Sequence, residues 1–250
     1  MIRRHLTVPA VAFAASALLS VPAVASDGPS WSYAADRGPA HWAELSPDYA
    51  ACGTGHNQSP VDIAAPLEAA LDGPTIAYPE VGRQVRHDGH TVKVSFPPGN
   101  AIVYEGQRYR LRQLHFHTPG EHRLDGQAFP MEAHLVHEAE DGRLAVLALL
   151  FEEGQAAPTL EALLSQAPAT SGAQVTLDEG LDAEALLPDA ASYYRLNGSL
   201  TTPPCSEGVL WLVAKTTLTA SETQLQVMSR LLGEANNRPL QPLNARRVLE

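Results

Sequence analysis

The chain contains a strand-turn-strand pattern that ends in a pair of histidines. Residues 101–117 read AIVYEGQRYRLRQLHFH, in which polar and apolar side chains alternate on both sides of Glu105-Gly106. Alternation with period two indicates β-strands, and the glycine favours a tight hairpin turn. Side chains two residues apart on a strand point to the same face, whereas a helix would splay them. The pattern therefore predicts a sheet that presents His115 and His117 side by side.

Other segments extend this sheet. Strand-length runs occur at 90–96, 132–139, 143–152 and 209–216, with a turn at Glu140-Asp141-Gly142. Helix signals are fewer: Thr159–Ser165 has one apolar face, and Ser221–Leu232 starts with the capping-box pattern Ser221-x-x-Gln224. We predict a mostly β protein of the α+β class, with peripheral helices and a single domain spanning 26–250.

The negative net charge argues against two kinds of partner, nucleic acid and anionic lipid. The net charge is -11 with neutral histidines, and the sequence pI is about 5.3. An acidic surface repels nucleic acid and anionic lipid, so we expect neither as a partner. The charge is spread along the chain, which favours a role in solubility.

The first 25 residues have the composition of a signal peptide. Arg3 and Arg4 precede an apolar run that ends on Ala23-Val24-Ala25. A charged start, a short apolar segment and an A-x-A site predict cleavage after Ala25. The general secretory route fits better than twin-arginine export. We expect a periplasmic or secreted protein.

Two cysteines, Cys52 and Cys205, follow this segment. An even number of cysteines in an exported chain favours a disulfide. Two free buried thiols are the alternative.

His134 adds a third imidazole to the pair. It lies on the predicted strand 132–139, with Glu132 on the same face and His137 on the other. Three neutral imidazoles on adjacent strands make a zinc site with one open position. Glu132 is then placed to hold His134, and Gln113 to hold His115. A single strand histidine is more often a packing or surface residue, which is the alternative.

The first two histidines also fit a second kind of metal motif. His115-x-His117-x3-Glu121 resembles the first motif of the cupins, which often carry iron or manganese. A cupin also needs a histidine followed four residues later by asparagine. Glu138 and Asp141 stand at those positions after His134 and His137, which argues against a cupin.

The segment NGSLTTPPC (197–205), together with these histidines, resembles the α-class carbonic anhydrases. The similarity covers most of the chain that follows the predicted cleavage site. It is carried by these segments: WSYAADRGPAHWAEL (31–45), NQSPVDI (57–63), HDGHTVKVSF (87–96), QLHFHTPGEH (113–122), EAHLVHE (132–138), GSLTTPPC (198–205) and NNRPLQPLN (236–244). The resemblance implies a twisted, mainly antiparallel sheet of about ten strands. It also implies a disulfide between the two cysteines, as in bacterial members.

The resemblance also implies reversible hydration of carbon dioxide by zinc-bound hydroxide. His115 and His117 would bind zinc through Nε2, and His134 through Nδ1. Thr201 would accept a hydrogen bond from the hydroxide and donate its proton to Glu121, while His90 would be the proton shuttle. The substrate pocket would contain Thr202, Val136, Val146, Leu200, Val209 and Trp211.

Two residues depart from the family pattern. Lys93 replaces a neutral residue beside the shuttle and is expected to lower the pKa of His90, with Asp88 as a partial offset. Leu196 replaces a tyrosine of the animal enzymes, so the buried His122 would lose a partner and depend on Glu132. Two other functions stay open: a non-catalytic binding protein on this fold, and a zinc hydrolase acting on esters. The chain is expected to be a monomer or a homodimer.

Overall fold

The computed structural model describes residues 30–188 and 192–250, so the predicted signal peptide lies outside the described residues. The strands are β1 (Asp62–Ile63), β2 (Thr75–Ala77), β3 (Gly82–His87), β4 (Val92–Ser95), β5 (Ala101–Tyr104), β6 (Gln107–His117), β7 (Arg123–Leu124), β8 (Met131–Ala139), β9 (Leu144–Glu153), β10 (Gln174–Leu181), β11 (Tyr193–Ser199), β12 (Glu207–Ala214) and β13 (Leu218–Ala220). The helices are α1 (Trp42–Leu45), α2 (Ala51–Thr54), α3 (Pro158–Leu164) and α4 (Glu222–Leu232). Single 3-10 turns span Ala35–Arg37, Pro47–Tyr49 and Glu184–Leu186.

Eleven strands form one large sheet in the order β10-β3-β4-β6-β8-β9-β12-β11, with β5 beside β6, β2 beside β5 and β13 beside β9. Only the pairs of β9 with β12 and β13 are parallel in this sheet. A separate parallel pair joins β1 and β7. The prediction of a mainly antiparallel sheet of about ten strands is confirmed.

The predicted turns and helix cap are present. Glu105 and Gly106 both have positive φ, at 49° and 77°, as a two-residue hairpin turn of type I′ requires. Gly142 has φ 84° between β8 and β9. At α4, the Ser221 hydroxyl accepts from the Gln224 amide, and the Gln224 side chain accepts from the Ser221 amide. Because glycine adopts positive φ without steric cost, Gly106 and Gly142 favour turns at these positions, whereas Glu105 adopts a positive φ without that freedom.

The sheet is buried on both faces at its centre. Strand β9 sends Leu147, Leu149 and Phe151 into a large core that includes apolar residues of α3 and α4. Its alternate residues, Val146 and Ala148, belong to a smaller apolar cluster on the other face. A strand covered on both faces has a continuous apolar sequence, as LAVLALLF shows.

A β-bulge at Arg112 determines which face receives the histidines. In the pairing of β6 with β8, Leu111 lies opposite His137 and Gln113 lies opposite Val136, which leaves Arg112 as an extra residue. Leu111 and Leu114 both reach the large core, although they are three residues apart. The bulge therefore turns the end of β6 over, so that its histidines face the smaller cluster.

No helix within residues 30–188 and 192–250 is long and apolar enough to cross a membrane.

Candidate metal centre

The three predicted ligands come together on two neighbouring strands. His115 of β6 lies directly opposite His134 of β8, and His117 follows two residues later on the same face. The ring centroids are 4.6–5.2 Å apart. One nitrogen of each ring lies within 4.8 Å of the corresponding nitrogens of the other two.

Each imidazole has one ring nitrogen held by an acceptor. The pairs are His115 Nδ1 with Gln113 Oε1 (2.8 Å), His117 Nδ1 with the Asn236 carbonyl (2.7 Å) and His134 Nε2 with Glu132 Oε1 (2.7 Å). Since these acceptors carry no proton, each of the three ring nitrogens donates. The lone pairs of His115 Nε2, His117 Nε2 and His134 Nδ1 are left to face one another.

The three rings are neutral near neutral pH. Burial lowers the pKa of His115 and His134, and it lowers the pKa of His117 to about 4. A neutral imidazole is the form that binds a metal ion. The cluster is therefore prepared for a cation rather than an anion.

Glu132 joins this cluster to the preceding loop. Its Oε1 accepts from His134 and from His122 Nδ1 (2.7 Å each), and its Oε2 accepts from the amides of Glu121 (2.7 Å) and His122 (2.8 Å). Burial alone raises the pKa of Glu132, but the two histidines outweigh it and hold the pKa well below its usual value. One buried carboxylate thus orients a ligand ring and fixes the backbone of Glu121.

Glu121 points its second carboxylate oxygen at the ligand nitrogens. Its Oε1 accepts from the Arg238 amide (2.8 Å), while Oε2 lies 3.6 Å from His117 Nε2 and 4.0 Å from His134 Nδ1. Burial raises the pKa of Glu121 to about 7, and the Thr201 hydroxyl opposes this rise. No hydrogen bond of normal geometry reaches Oε2 from the described residues. Glu121 Oε2 is therefore placed to accept a hydrogen bond from the Thr201 hydroxyl.

A cavity of about 130 Å³ opens above the histidines. Its wall includes these predicted residues: His90, Gln113, Val136, Val146, Leu200, Thr201, Thr202 and Trp211. Val209 does not line it, because the side chain is buried in the smaller apolar cluster with Trp211. The cavity has an apolar side and a histidine side, which suits a small uncharged molecule that reacts at a metal.

His90 lies at the cavity mouth against an aromatic ring that sequence analysis missed. Trp31 stacks on His90 with ring centroids 3.7 Å apart and planes 8° from parallel. Asp88 Oδ1 accepts from the His90 and Thr91 amides, and Asp88 Oδ2 pairs with Lys93 Nζ at 2.9 Å. Burial lowers the pKa of His90; Asp88 raises it and Lys93 lowers it further. The two residues act on the His90 pKa in the expected directions, but Asp88 outweighs Lys93 and does not merely offset it in part.

The loop that carries Thr201 is fastened to the rest of the chain. Cys52 and Cys205 form the predicted disulfide, with Cα atoms 5.0 Å apart. Gln58 Nε2 donates to the Cys205 carbonyl, and the Arg238 guanidinium donates to Gln58 Oε1 and to the Cys52 carbonyl. Because the Arg238 amide also binds Glu121, this network links both ends of the disulfide to the site. Gln58 and Arg238 lie in two of the recognised motifs, but sequence analysis gave them no role.

The hydrogen bonds of His122 agree with the expectation that Leu196, in place of a tyrosine, leaves this histidine without one partner. Its Nδ1 donates to Glu132, its ring lies 4.7 Å from that of Trp211, and its Nε2 has no hydrogen bond among the described residues. Leu196 is fully buried nearby in the apolar cluster. The missing partner of His122 is confirmed.

A family model described as eukaryotic-type carbonic anhydrase matches residues 37–250. The chain is 43% identical to a carbonic anhydrase of Pectobacterium carotovorum over 227 residues, which cover 91% of this chain and 93% of the relative. It is also 43% identical to a carbonic anhydrase of Neisseria gonorrhoeae over 221 residues, covering 88% and 87%.

Solved structures agree with these relatives. The α-carbonic anhydrase of Thermovibrio ammonificans, in complex with the inhibitor sulfanilamide, superposes with a TM-score of 0.88 and 42% identity, covering 89% of this chain and all of that one. The large sheet excludes the small barrel of a cupin. The site and these relatives together define an enzyme. The chain belongs to the α-class, or eukaryotic-type, carbonic anhydrase family. Membership implies hydration of carbon dioxide, a small-molecule substrate.

Proposed function

We propose that this chain is an exported zinc enzyme that hydrates carbon dioxide reversibly to bicarbonate and a proton. His115, His117 and His134 would hold the zinc ion. The supporting observation is that their three lone-pair nitrogens lie within 4.8 Å of one another, while each opposite nitrogen is held by its own acceptor.

The donor set fits zinc. Three neutral imidazole nitrogens occupy three corners of a tetrahedron and leave one position open, as in catalytic rather than structural zinc sites. His117 Nε2 is buried without a hydrogen bond, which a metal ion would resolve. Zinc, when bound, supplies a Lewis acid that lowers the pKa of a water at the open position; carbonic anhydrases are the standard example.

Glu121 and Thr201 would orient the nucleophile. A Thr201 hydroxyl that donates its proton to Glu121 Oε2 has only its oxygen lone pairs left to face the open position. Those lone pairs accept a hydrogen bond and so select a nucleophile that has one proton to donate. Thr201 would complete this hydrogen bond by rotating toward Oε2, which has no hydrogen bond of normal geometry from the described residues.

The apolar wall would receive carbon dioxide. Val136, Val146, Leu200 and Trp211 offer no charge and no competing donor toward the cavity, apart from the Trp211 Nε1–H, which is bound to the Ser199 carbonyl. Such a wall suits carbon dioxide, which is uncharged and apolar. It holds a charged product weakly, so the product leaves. Thr202 would contact the substrate at the polar edge.

His90 would carry the proton to the solvent. The lowered pKa leaves its ring mostly neutral at neutral pH, so a ring nitrogen is free to accept a proton from water in the cavity. A position between cavity and solvent then allows transfer to buffer.

Export is part of the proposal. A signal peptide spanning 1–25 and a catalytic domain spanning 26–250 account for the disulfide, which is typical of oxidising compartments. N-terminal sequencing of the mature protein from periplasm and medium tests it. A chain that starts at Ser26 is expected, and an uncleaved chain in the cytoplasm would contradict it.

The test of the reaction is stopped-flow hydration of carbon dioxide together with zinc content. We expect bound zinc and a rate that rises with pH as the nucleophile forms. A zinc-loaded sample with no rate above background would support a non-catalytic binding protein instead. Ester turnover that exceeds hydration would support the hydrolase.

A further inference from the structure

A second cavity, of about 150 Å³, lies on the other side of the sheet from the metal centre. It borders β11 and β12, and we call it the rear cavity. Its wall includes Tyr104, Tyr193, Arg195, Leu212, Lys215 and Glu250. Trp211 lines the metal cavity and the next residue, Leu212, lines the rear one. Since successive strand residues face opposite sides, the two cavities are back to back across β12.

Two hydrogen-bond donors in its wall have no partner among the described residues. Tyr193 is 7% exposed, and its hydroxyl is buried without a hydrogen bond. Arg195 Nε, two residues along the same face of β11, is likewise buried and unbonded. Buried polar atoms are nearly always satisfied by protein, water or ligand, so these two neighbouring donors are available to a molecule that enters the cavity.

Arg195 also forms no ion pair among the described residues, although Asp72 and Glu250 line the same wall. Lys215 in the same wall pairs with Glu250 at 2.9 Å, and the buried Arg238 donates to carbonyl oxygens. The Arg195 guanidinium donates a hydrogen bond to the Tyr104 hydroxyl. Burial raises the pKa of Tyr104, so that hydroxyl stays neutral and leaves the guanidinium charge in place.

We propose that the rear cavity binds a small monovalent oxyanion, a carboxylate or bicarbonate, whose oxygens accept from Arg195 Nε and the Tyr193 hydroxyl. The volume matches about five water molecules at roughly 30 Å³ each, which limits the ligand to a few heavy atoms. Asp72 stands exposed in the wall and disfavours ions of higher charge. Burial raises the pKa of Tyr193 to about 12, so the hydroxyl remains a donor.

The test uses the zinc-loaded ¹⁵N-labelled protein with the metal cavity filled by sulfanilamide, the inhibitor bound by the Thermovibrio relative. Acetate and, separately, bicarbonate are titrated while amide resonances are followed. We expect saturable shifts at Tyr193, Arg195 and Leu212 for at least one of the two anions. Shifts with both indicate a general oxyanion site, and shifts with bicarbonate alone indicate a site for the reaction product.

Variants assign the donors. Arg195→Gln is expected to weaken the anion at least tenfold, and Tyr193→Phe, which removes one hydroxyl, severalfold. Arg83→Gln removes a cation that binds the Leu177 carbonyl elsewhere, and it should bind the anion as the parent does. Absence of saturable shifts in the parent protein, or equal affinity in all three variants, would show that the cavity holds water only.

Discussion

Strand β8 carries two buried histidines three residues apart, and only one of them faces the candidate metal centre. His134 and His137 are 1% and 0% exposed, and burial lowers the pKa of both. His137 Nδ1 donates to the Ala145 carbonyl at 3.3 Å, and its Nε2 accepts from the Tyr78 hydroxyl at 2.7 Å. His134 has one nitrogen fixed and one free. A ligand is thus distinguished from a structural histidine by an unpaired nitrogen directed at others, and not by burial.

Removal of a ligand gives the largest contrast between the two faces. We expect His134→Ala to lose zinc and to hydrate carbon dioxide at the background rate, because two imidazoles are left. His137→Gln should retain zinc and rate while losing about 1–3 kcal/mol of stability from disturbed buried hydrogen bonds. Metal analysis and stopped flow measure both. Equal zinc in the two variants would contradict the assignment.

Acidification tests the role of His137, the histidine whose two ring nitrogens are both hydrogen-bonded. The pKa of His137 is about 4 in the folded chain against 6.5 for an ordinary histidine. On acidification the unfolded chain takes up a proton first, so stability is lost as pH falls from 6.5 to about 4, by on the order of 3 kcal/mol. Above pH 6.5 both states are neutral and the residue contributes no pH dependence.

This loss is measured by urea unfolding of the zinc-loaded protein at neutral and acidic pH. His137→Gln should lose less stability on acidification than the parent. His41→Gln, which changes an exposed ring, should follow the parent. If His137→Gln and the parent are equally sensitive to acid, the protonation of His137 is not the cause.

On the metal face, Thr201→Ala is expected to lower kcat on the order of 10²-fold with zinc retained, because loss of positioning at a reacting atom has about that cost. Thr201→Ser keeps the hydroxyl and should recover most of the rate. The comparison of kcat and zinc content separates orientation from metal binding. A serine variant as slow as alanine would implicate packing instead.

The smallest expected effect concerns the cavity mouth. Lys93→Met removes a cation that lowers the pKa of His90, so the pKa should rise. Asp88, freed from its 2.9 Å ion pair, adds to the rise. The ring titration followed by NMR should move to higher pH, while Arg112→Met, which removes an exposed cation from β6, should leave it unchanged. A shift to lower pH would contradict the electrostatic account.

Local patterns predicted much of the fold. The turn at Glu105-Gly106, the strands β8 and β9 and the cap of α4 depend on residues close in sequence, and all are present. Strand β11, with sequence YYRLNGS, was not predicted because its polar residues and glycine hide the alternation. Its pairing with β12 supplies what its own sequence does not indicate.

The site was predicted in its residue types but not in its mechanism of assembly. Alternation alone places Leu111 and His115 on one face, whereas the bulge at Arg112 separates them. The tautomer of His117 depends on the Asn236 carbonyl, 119 residues away. Neither a bulge nor a distant carbonyl leaves a mark in the local sequence, so both required the three-dimensional structure.

The long sequence separation between His117 and its acceptor, the Asn236 carbonyl, has a consequence for biosynthesis. All three candidate ligands are translated by residue 134, but the Asn236 carbonyl that fixes His117 and the Arg238 amide that binds Glu121 come a hundred residues later. Parallel pairing of β9 with β12 also waits for the intervening chain. A nascent chain that stops short of residue 236 would carry every ligand and still lack the geometry that holds them. Completion of the C-terminal segment, and not synthesis of the histidines, is therefore expected to set the earliest moment at which the candidate centre is assembled.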